Sequence, residues 1–317
     1  MVLEKLKKKR EPVYYFFSGK GGVGKTSIAA ATALWFSEQK KKVLIISTDP
    51  AHSLGDSYNV PIGGSIKKLR KNLFAVEIDP AKAMEEYKEK FMPKIENIEQ
   101  FKGLGIEEAF DVAGMTPGID EVAAFDKFLQ YMHSREYDVI IFDTAPTGHA
   151  LRFLSFPEVL DSWVGRIIKI RLKFSGVVNI IKKVLPFGKE EGKPQLGTEQ
   201  LENLKTRIEE AREVLSNPEK TNYNIVTIPQ QMAIVESERA LKTLKEYRIP
   251  VKSIVINQII PPNQKCSFCT IKRNEQLERV ETIKKKFAGL EIFEVPLFEK
   301  EIGGFTALSK LGKKMYG

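Results

Sequence analysis

Ser18-Gly19-Lys20-Gly21-Gly22-Val23-Gly24-Lys25-Thr26 fits the pattern G-x-x-x-x-G-K-[ST] and carries an extra lysine directly after its first glycine. In such a run, glycines let backbone N–H groups converge on phosphate oxygens. The last lysine reaches the β- and γ-phosphates, and the hydroxyl that follows it holds Mg²⁺. Lys25 and Thr26 are expected in those two roles, with Gly19, Lys20, Gly21, Gly22, Val23, Gly24 and Ser27 completing the nucleotide cradle. Lys20 is poorly placed to add to Lys25 within one chain and is expected to project toward the phosphates of a facing subunit, which predicts a homodimer. The setting suits the motif. Val13 to Phe17 reads as a short buried strand, and Ser27 to Ser37 as an alanine-rich helix, so the loop joins a strand to a helix.

Working outward, short runs rich in Val, Ile and Phe recur between longer helical patterns: Val13 to Ser18, Val43 to Thr48, Leu73 to Ile78, Val139 to Asp143, Asn224 to Ile228, Val251 to Asn257 and Glu291 to Val295. This alternation predicts an α/β fold, a P-loop NTPase whose mostly parallel, doubly wound sheet has helices on both faces. Ligands of such sheets sit at the carboxyl ends of the strands, where the P-loop, Asp49, Asp143 and Asn257 all fall. Pro80 to Glu136 and Ala150 to Asn217 are longer than a crossover helix needs and read as helical-subdomain insertions, about 80–136 and 150–217, in a single ATPase domain of 1–317. In the second, apolar residues from Phe156 through Ile167 and Ile170 to Val184 recur by fours and threes as one stripe, flanked by lysines and arginines. Core packing, a groove for an apolar helix and a membrane-surface face are all compatible with that stripe. Gly103 to Gly118 reads as a lid.

The chain has 317 residues, 42% hydrophobic and 29% charged, as in a globular protein with a sizeable core. Neither a signal peptide nor an apolar run of about 18 residues is seen, which predicts a cytoplasmic protein. The net charge of +9 is spread among glutamates rather than gathered in a stripe, so nucleic acid is not an expected partner.

Tyr137 to Asp143 is an apolar strand ending in an acid, where a carboxylate supports Mg²⁺ directly or through water. Asp49 and Asp56 follow the second strand; one is suited to the metal shell and the other, Asp56, to orienting the attacking water. Phosphoryl transfer needs alignment and charge neutralisation more than covalent chemistry, so Lys20, Lys25, Asp56, one Mg²⁺ and a positioned water suffice for ATP hydrolysis. His52, His133 and His149 lack metal-ligand spacing; the first and last lie in motifs, and His133 reads as structural.

Cys266 and Cys269 are the only cysteines. Their C-x-x-C spacing suits one metal, but structural Zn²⁺ takes four ligands, so a second copy of the chain is expected to supply the other pair across a two-fold axis. A redox dithiol and an unligated pair are the competing readings. A redox motif would sit at a helix start near a βαβ unit, whereas this one is expected inside a Pro261 to Lys272 loop.

Together, Lys20 to Thr26, Asp49 to Asp56, Asp143-Thr144-Ala145-Pro146-Thr147-Gly148-His149 and Cys266 to Cys269 resemble the ArsA/Get family of deviant-Walker ATPases along nearly the whole chain. Within it they look like the archaeal, single-module ATPases of the guided-entry pathway for tail-anchored membrane proteins. The resemblance implies ATP, Mg²⁺ and Zn²⁺, a zinc-bridged homodimer, tail-anchored clients and a membrane receptor. It also implies Lys20 acting across the dimer, Asp56 as the catalytic acid and Asp143 in the second switch. Asn257 would contact adenine, beside a loop that starts at Pro296 and includes Phe298. Gln230 and Gly303 depart from the family, which often has an acid and an arginine there. Three other functions fit parts of the pattern: an arsenite-pump ATPase, an iron–sulfur carrier ATPase and a ParA/MinD-like positioning ATPase.

Overall fold

The computed structural model describes residues 11–48, 53–79, 82, 86, 129–143, 206, 209–210, 212–262 and 265–317. Eight strands form one sheet in the order β3-β4-β2-β5-β1-β6-β7-β8. They are β1 (Val13–Ser18), β2 (Val43–Ser47), β3 (Lys67–Arg70), β4 (Leu73–Glu77), β5 (Val139–Asp143), β6 (Thr221–Thr227), β7 (Val251–Ile259) and β8 (Glu291–Pro296). All pairings are parallel except β3 with β4. The described helices are α1 (Lys25–Glu38), α2 (Ser53–Tyr58), α3 (Gln231–Glu246), α4 (Ser267–Lys286) and α5 (Gly304–Tyr316).

Side chains alternate across a strand, so successive residues of β1 and β2 feed opposite faces of the sheet. Phe16, Leu44 and Ile46 join a core with Ile140, Tyr223, Ile254 and residues of α3 and α4. Phe17, Val43 and Ile45 join another with α1, α2 and α5. All five residues of β2 and of β5 are buried, as two covered faces require. Phe16 sits at the middle, its ring 4.9 Å from Phe142 and 5.9 Å from Tyr223. Truncating such a side chain to alanine costs about 3–5 kcal/mol.

The apolar runs are strands as expected, although β6 begins at Thr221 and β7 continues to Ile259. The edge strand β3 has no apolar run to announce it: Lys67-Lys68-Leu69-Arg70 pairs antiparallel with β4, and its charges suit a sheet edge exposed to water. The predicted insertions, and with them the apolar stripe and the Gly103 to Gly118 lid, lie mostly outside the described residues. At their ends Leu129, Met132 and Leu215 are buried in the α3/α4-side core, and the Tyr14 hydroxyl donates to the Met132 carbonyl at 2.7 Å. His133 bridges the two connections, with ring nitrogens 2.7 Å from the Leu129 carbonyl and from Glu210.

Candidate nucleotide site

The P-loop leaves the carboxyl end of β1, in the middle of the sheet. Two glycines there are required by space as well as by conformation. A Cβ on Gly19, at φ +156°, would lie 2.1 Å from the Val226 carbonyl oxygen; one on Gly24, at φ +88°, would lie 2.4 Å from the Asn257 amide nitrogen. Gly24 is the N-cap of α1 in a left-handed conformation without a side-chain cap. The helix's first N–H groups are thus left for an anion. Lys25 is 8% exposed and its Nζ donates to the Lys20 carbonyl at 3.3 Å, which folds it back over the loop. Lys20 is half-buried, its Nζ 3.7 Å from Glu236 of α3.

A cleft of about 1480 Å³ runs from the end of the P-loop to the segment after β8, and Gly24, Thr26, Ser27, Asp56, Asn257 and Pro296 all line it, together with Phe298. The structure thus brings six of the expected site residues into one wall. Gly19 to Val23, Lys25 and Asp143 do not line it; Asp143 is buried at the end of β5. Asp49 and Thr144 to His149 lie outside the described residues, as does His52. Thr26 Oγ1 lies 3.2 Å from Ser53 Oγ, so two hydroxyls offer Mg²⁺ the oxygen donors it prefers.

Asn257 does more than line the cleft. Its amide donates to the Val23 carbonyl at 2.9 Å, its own oxygen accepts the Gln258 N–H at 2.9 Å, and the Gln258 side chain reaches the Gly22 carbonyl at 3.4 Å. The end of β7 therefore buttresses the P-loop. Gln276 of α4 holds that end in turn, accepting the Ile260 N–H at 2.8 Å.

Asp56 is carried on the short helix α2, which is docked by its last residue: Tyr58 is buried and its hydroxyl donates to the Ala30 carbonyl at 2.9 Å. Burial first, and the Asp143 carboxylate second, push the Tyr58 phenol far up, so it stays a donor. Glu77, Asn59 and Glu236 were not anticipated from the sequence. Their partners are remote in the chain, and only the acid within the apolar run Leu73 to Ile78 signalled Glu77. Gly303 and Gly304, where the resemblance leads to an arginine at 303, pack against the Asn59 side chain. Gln230 is the N-cap of α3 and makes no side-chain cap.

The cysteine pair is not in a loop, which corrects the expectation. Cys266 is the N-cap of α4 and Cys269 lies in its first turn, in the crossover between parallel β7 and β8. The pair therefore sits where a redox dithiol would, at a helix start within a βαβ unit. The Cys269 N–H donates to Cys266 Sγ at 3.3 Å. Hydrogen bonds from the Cys269 thiol and then its N–H hold the Cys266 thiol below its ordinary range, while keeping its proton in that bond raises Cys269. Among the described residues no group of three or more His, Cys, Asp or Glu could hold a metal ion. The pair is chemically suited to a soft metal, but as half a site.

The family model described as anion-transporting ATPase matches residues 13–317. The chain is 40% identical to ATPase GET3B of Arabidopsis thaliana over 94% of its own length and 77% of the relative's. It is 38% identical to ATPase GET3C of the same plant, over 94% and 81%. With ATPase GET3 of Podospora anserina it shares 34% identity over 99% and 93%. The glycine-cradled P-loop, the cleft beside it and this near full-length similarity make the chain an ATPase, a member of the anion-transporting (ArsA) ATPase family.

Proposed function

We propose that the chain is a homodimeric targeting factor that binds the transmembrane helices of tail-anchored membrane proteins and releases them as it hydrolyses ATP. The observation that carries this reading is the sheet topology. β5 and β6 both flank β1, so a crossover between them need span only one strand, which takes about a dozen residues. Residues 144–220 lie between them, and they include the amphipathic stripe from Phe156 to Val184. A connection of that size, in a chain similar to GET3-named ATPases along most of its length, is suited to carrying cargo.

In the proposed cycle the P-loop N–H groups and Lys25 hold the phosphates, and Lys20 reaches those of the second subunit. Asp56 orients the attacking water, Asp143 supports Mg²⁺ from the second switch, and Asn257 and Pro296 face the base. Mg²⁺ held at Thr26 would neutralise charge on the β- and γ-phosphate oxygens. Cys266 and Cys269 from two chains would complete a four-thiolate zinc site. Closure of the dimer on ATP would join the two stripes into an apolar groove, and hydrolysis would open it. The protein is expected to act in the cytoplasm; among the described residues no helix is long and apolar enough to cross a membrane.

The test is co-expression with a tagged tail-anchored protein and pull-down with and without ATP, using a copy lacking its transmembrane helix as control. Capture that requires the helix and responds to nucleotide supports the proposal. ATPase activity without capture contradicts it. The C-x-x-C pair, chemically half of a four-thiolate site, leaves room for one second reading, an iron–sulfur carrier. A brown protein containing iron would support that, and a colourless one containing zinc would oppose it. Arsenite stimulation of the ATPase would point instead to a pump.

A further inference from the structure

Glu77 ends β4 and is 3% exposed, between Val76 and Ile78, which are buried in the core. A carboxylate in that position is costly unless its oxygens are hydrogen-bonded. Both are, and by two points that bracket Asp56: the Gly55 N–H donates to Oε1 at 2.9 Å and the Gly63 N–H to Oε2 at 3.4 Å. A backbone bond from the Glu77 N–H to the Gly63 carbonyl, 3.0 Å, doubles the second attachment.

Gly55 is the third residue of α2, so its N–H is one that the helix itself leaves without an acceptor. The next residue is Asp56. Within the bracket the chain is cross-tied by Val60 N–H to the Gly55 carbonyl, 3.0 Å, and Asn59 N–H to the Asp56 carbonyl, 3.1 Å. The fit at Gly55 is close: a Cβ there would lie 3.1 Å from the Val60 carbonyl oxygen and 3.6 Å from Glu77 Oε1. Gly55, Asp56, Gly63 and Glu77 all line the cleft. Glu77 is thus rooted in the rigid sheet and reaches over to the one described segment of the cleft wall that carries a candidate water-orienting acid.

We propose that Glu77 is the positioning residue of the ATPase reaction, a buried carboxylate clamp that fixes the 55–63 segment so that Asp56 is held at the attacking water. In this role it acts through the backbone on either side of Asp56. The inference rests on the reading of Asp56 given above. A small displacement of a reacting group lowers the rate without altering how the phosphates and base are held, so the clamp governs kcat and leaves nucleotide affinity alone.

The experiment measures kcat, KM for ATP and the Kd of MgADP for wild type, Glu77→Ala, Glu77→Gln and Asp56→Asn in the full chain. Glu77→Ala should lower kcat on the order of 10- to 100-fold, with the Kd of MgADP within about twofold of wild type. Glu77→Gln keeps an oxygen acceptor for Gly55 and should recover most of the lost rate. Glu77→Ala at the wild-type rate, or a fall in kcat matched by an equal loss of MgADP affinity, would overturn the clamp. If Glu77→Ala does not fold, Glu77→Asp decides, because it retracts the carboxylate by one methylene: a slow rate with intact MgADP binding supports the clamp and a normal rate overturns it. A normal rate in Asp56→Asn would sink the reading of Asp56 by itself, while a slow Glu77→Ala would still support a clamp on the 55–63 segment.

Discussion

Lys20 of the P-loop and Glu236 of α3 face each other with 3.7 Å between Nζ and Oε1, each side chain about one-third exposed (33% and 32%). An ion pair this wet contributes roughly 0–1 kcal/mol. It holds the lysine at low cost and yields readily to a stronger anion. If Lys20 serves the nucleotide of a second subunit, Lys20→Ala should still bind ATP but lose the ATP-dependent closure of the dimer, read as compaction in small-angle scattering. Glu236→Gln should leave turnover within about twofold, since only a weak surface pair is lost. A Lys20→Ala dimer that compacts normally on ATP would contradict the role across the interface.

The bond from Asn257 to the Val23 carbonyl gives a second expectation. Asn257→Ala strands a buried loop carbonyl, which costs about 1–3 kcal/mol, so ATP affinity should fall about ten- to hundredfold in calorimetric titration. Gly24→Ala should be worse, because its Cβ would collide with the same asparagine while being forced to positive φ. Unchanged affinity in both would mean the buttress is idle.

At the cysteine pair, thiol alkylation followed against pH should resolve two unequal groups, because the thiolate is the reactive form. Cys266 is held down and Cys269 pushed up. Cys266 should therefore react at a pH below that of an ordinary thiol and Cys269 above it. Metal ligation needs thiolates, so a low Cys266 also keeps the half-site available as pH falls. Changing both to Ser should remove bound zinc and weaken the dimer; full dimerisation without metal would reject the shared site.

Replacing Ile167 and Ile170 by Asp places two charges on the amphipathic stripe. Client capture should be lost while ATP hydrolysis without client continues. Capture at the wild-type level would remove the stripe from the groove, and loss of folding would return it to the core.

The sheet was legible because parallel strands buried on both faces read as apolar runs, as in Val43 to Ile46 and Val139 to Phe142. β3 was hidden: an exposed edge strand of Lys, Lys, Leu and Arg has no such run. α4 was hidden at its start because Cys266 caps it in place of Ser, Thr, Asp or Asn. Phe268 and Ile271 are exposed rather than part of a buried stripe, and only Val280 and Ile283 of the helix are buried. The P-loop, Asp56 and Asn257 stood out through spacing at strand ends. Glu77, Asn59 and Glu236 act through partners that the fold alone brings near, and so left little trace in the linear pattern.

Release of a bound client distinguishes most sharply between a targeting ATPase and an ATPase of another kind. A fluorescent tail-anchored helix would be loaded on the wild-type protein and on Asp56→Asn, and its loss followed after addition of MgATP. Wild type should release the helix at the rate of phosphate production, and Asp56→Asn should bind ATP, close and retain it. Equal release from both proteins, or retention by both, would contradict a cycle in which hydrolysis opens the groove.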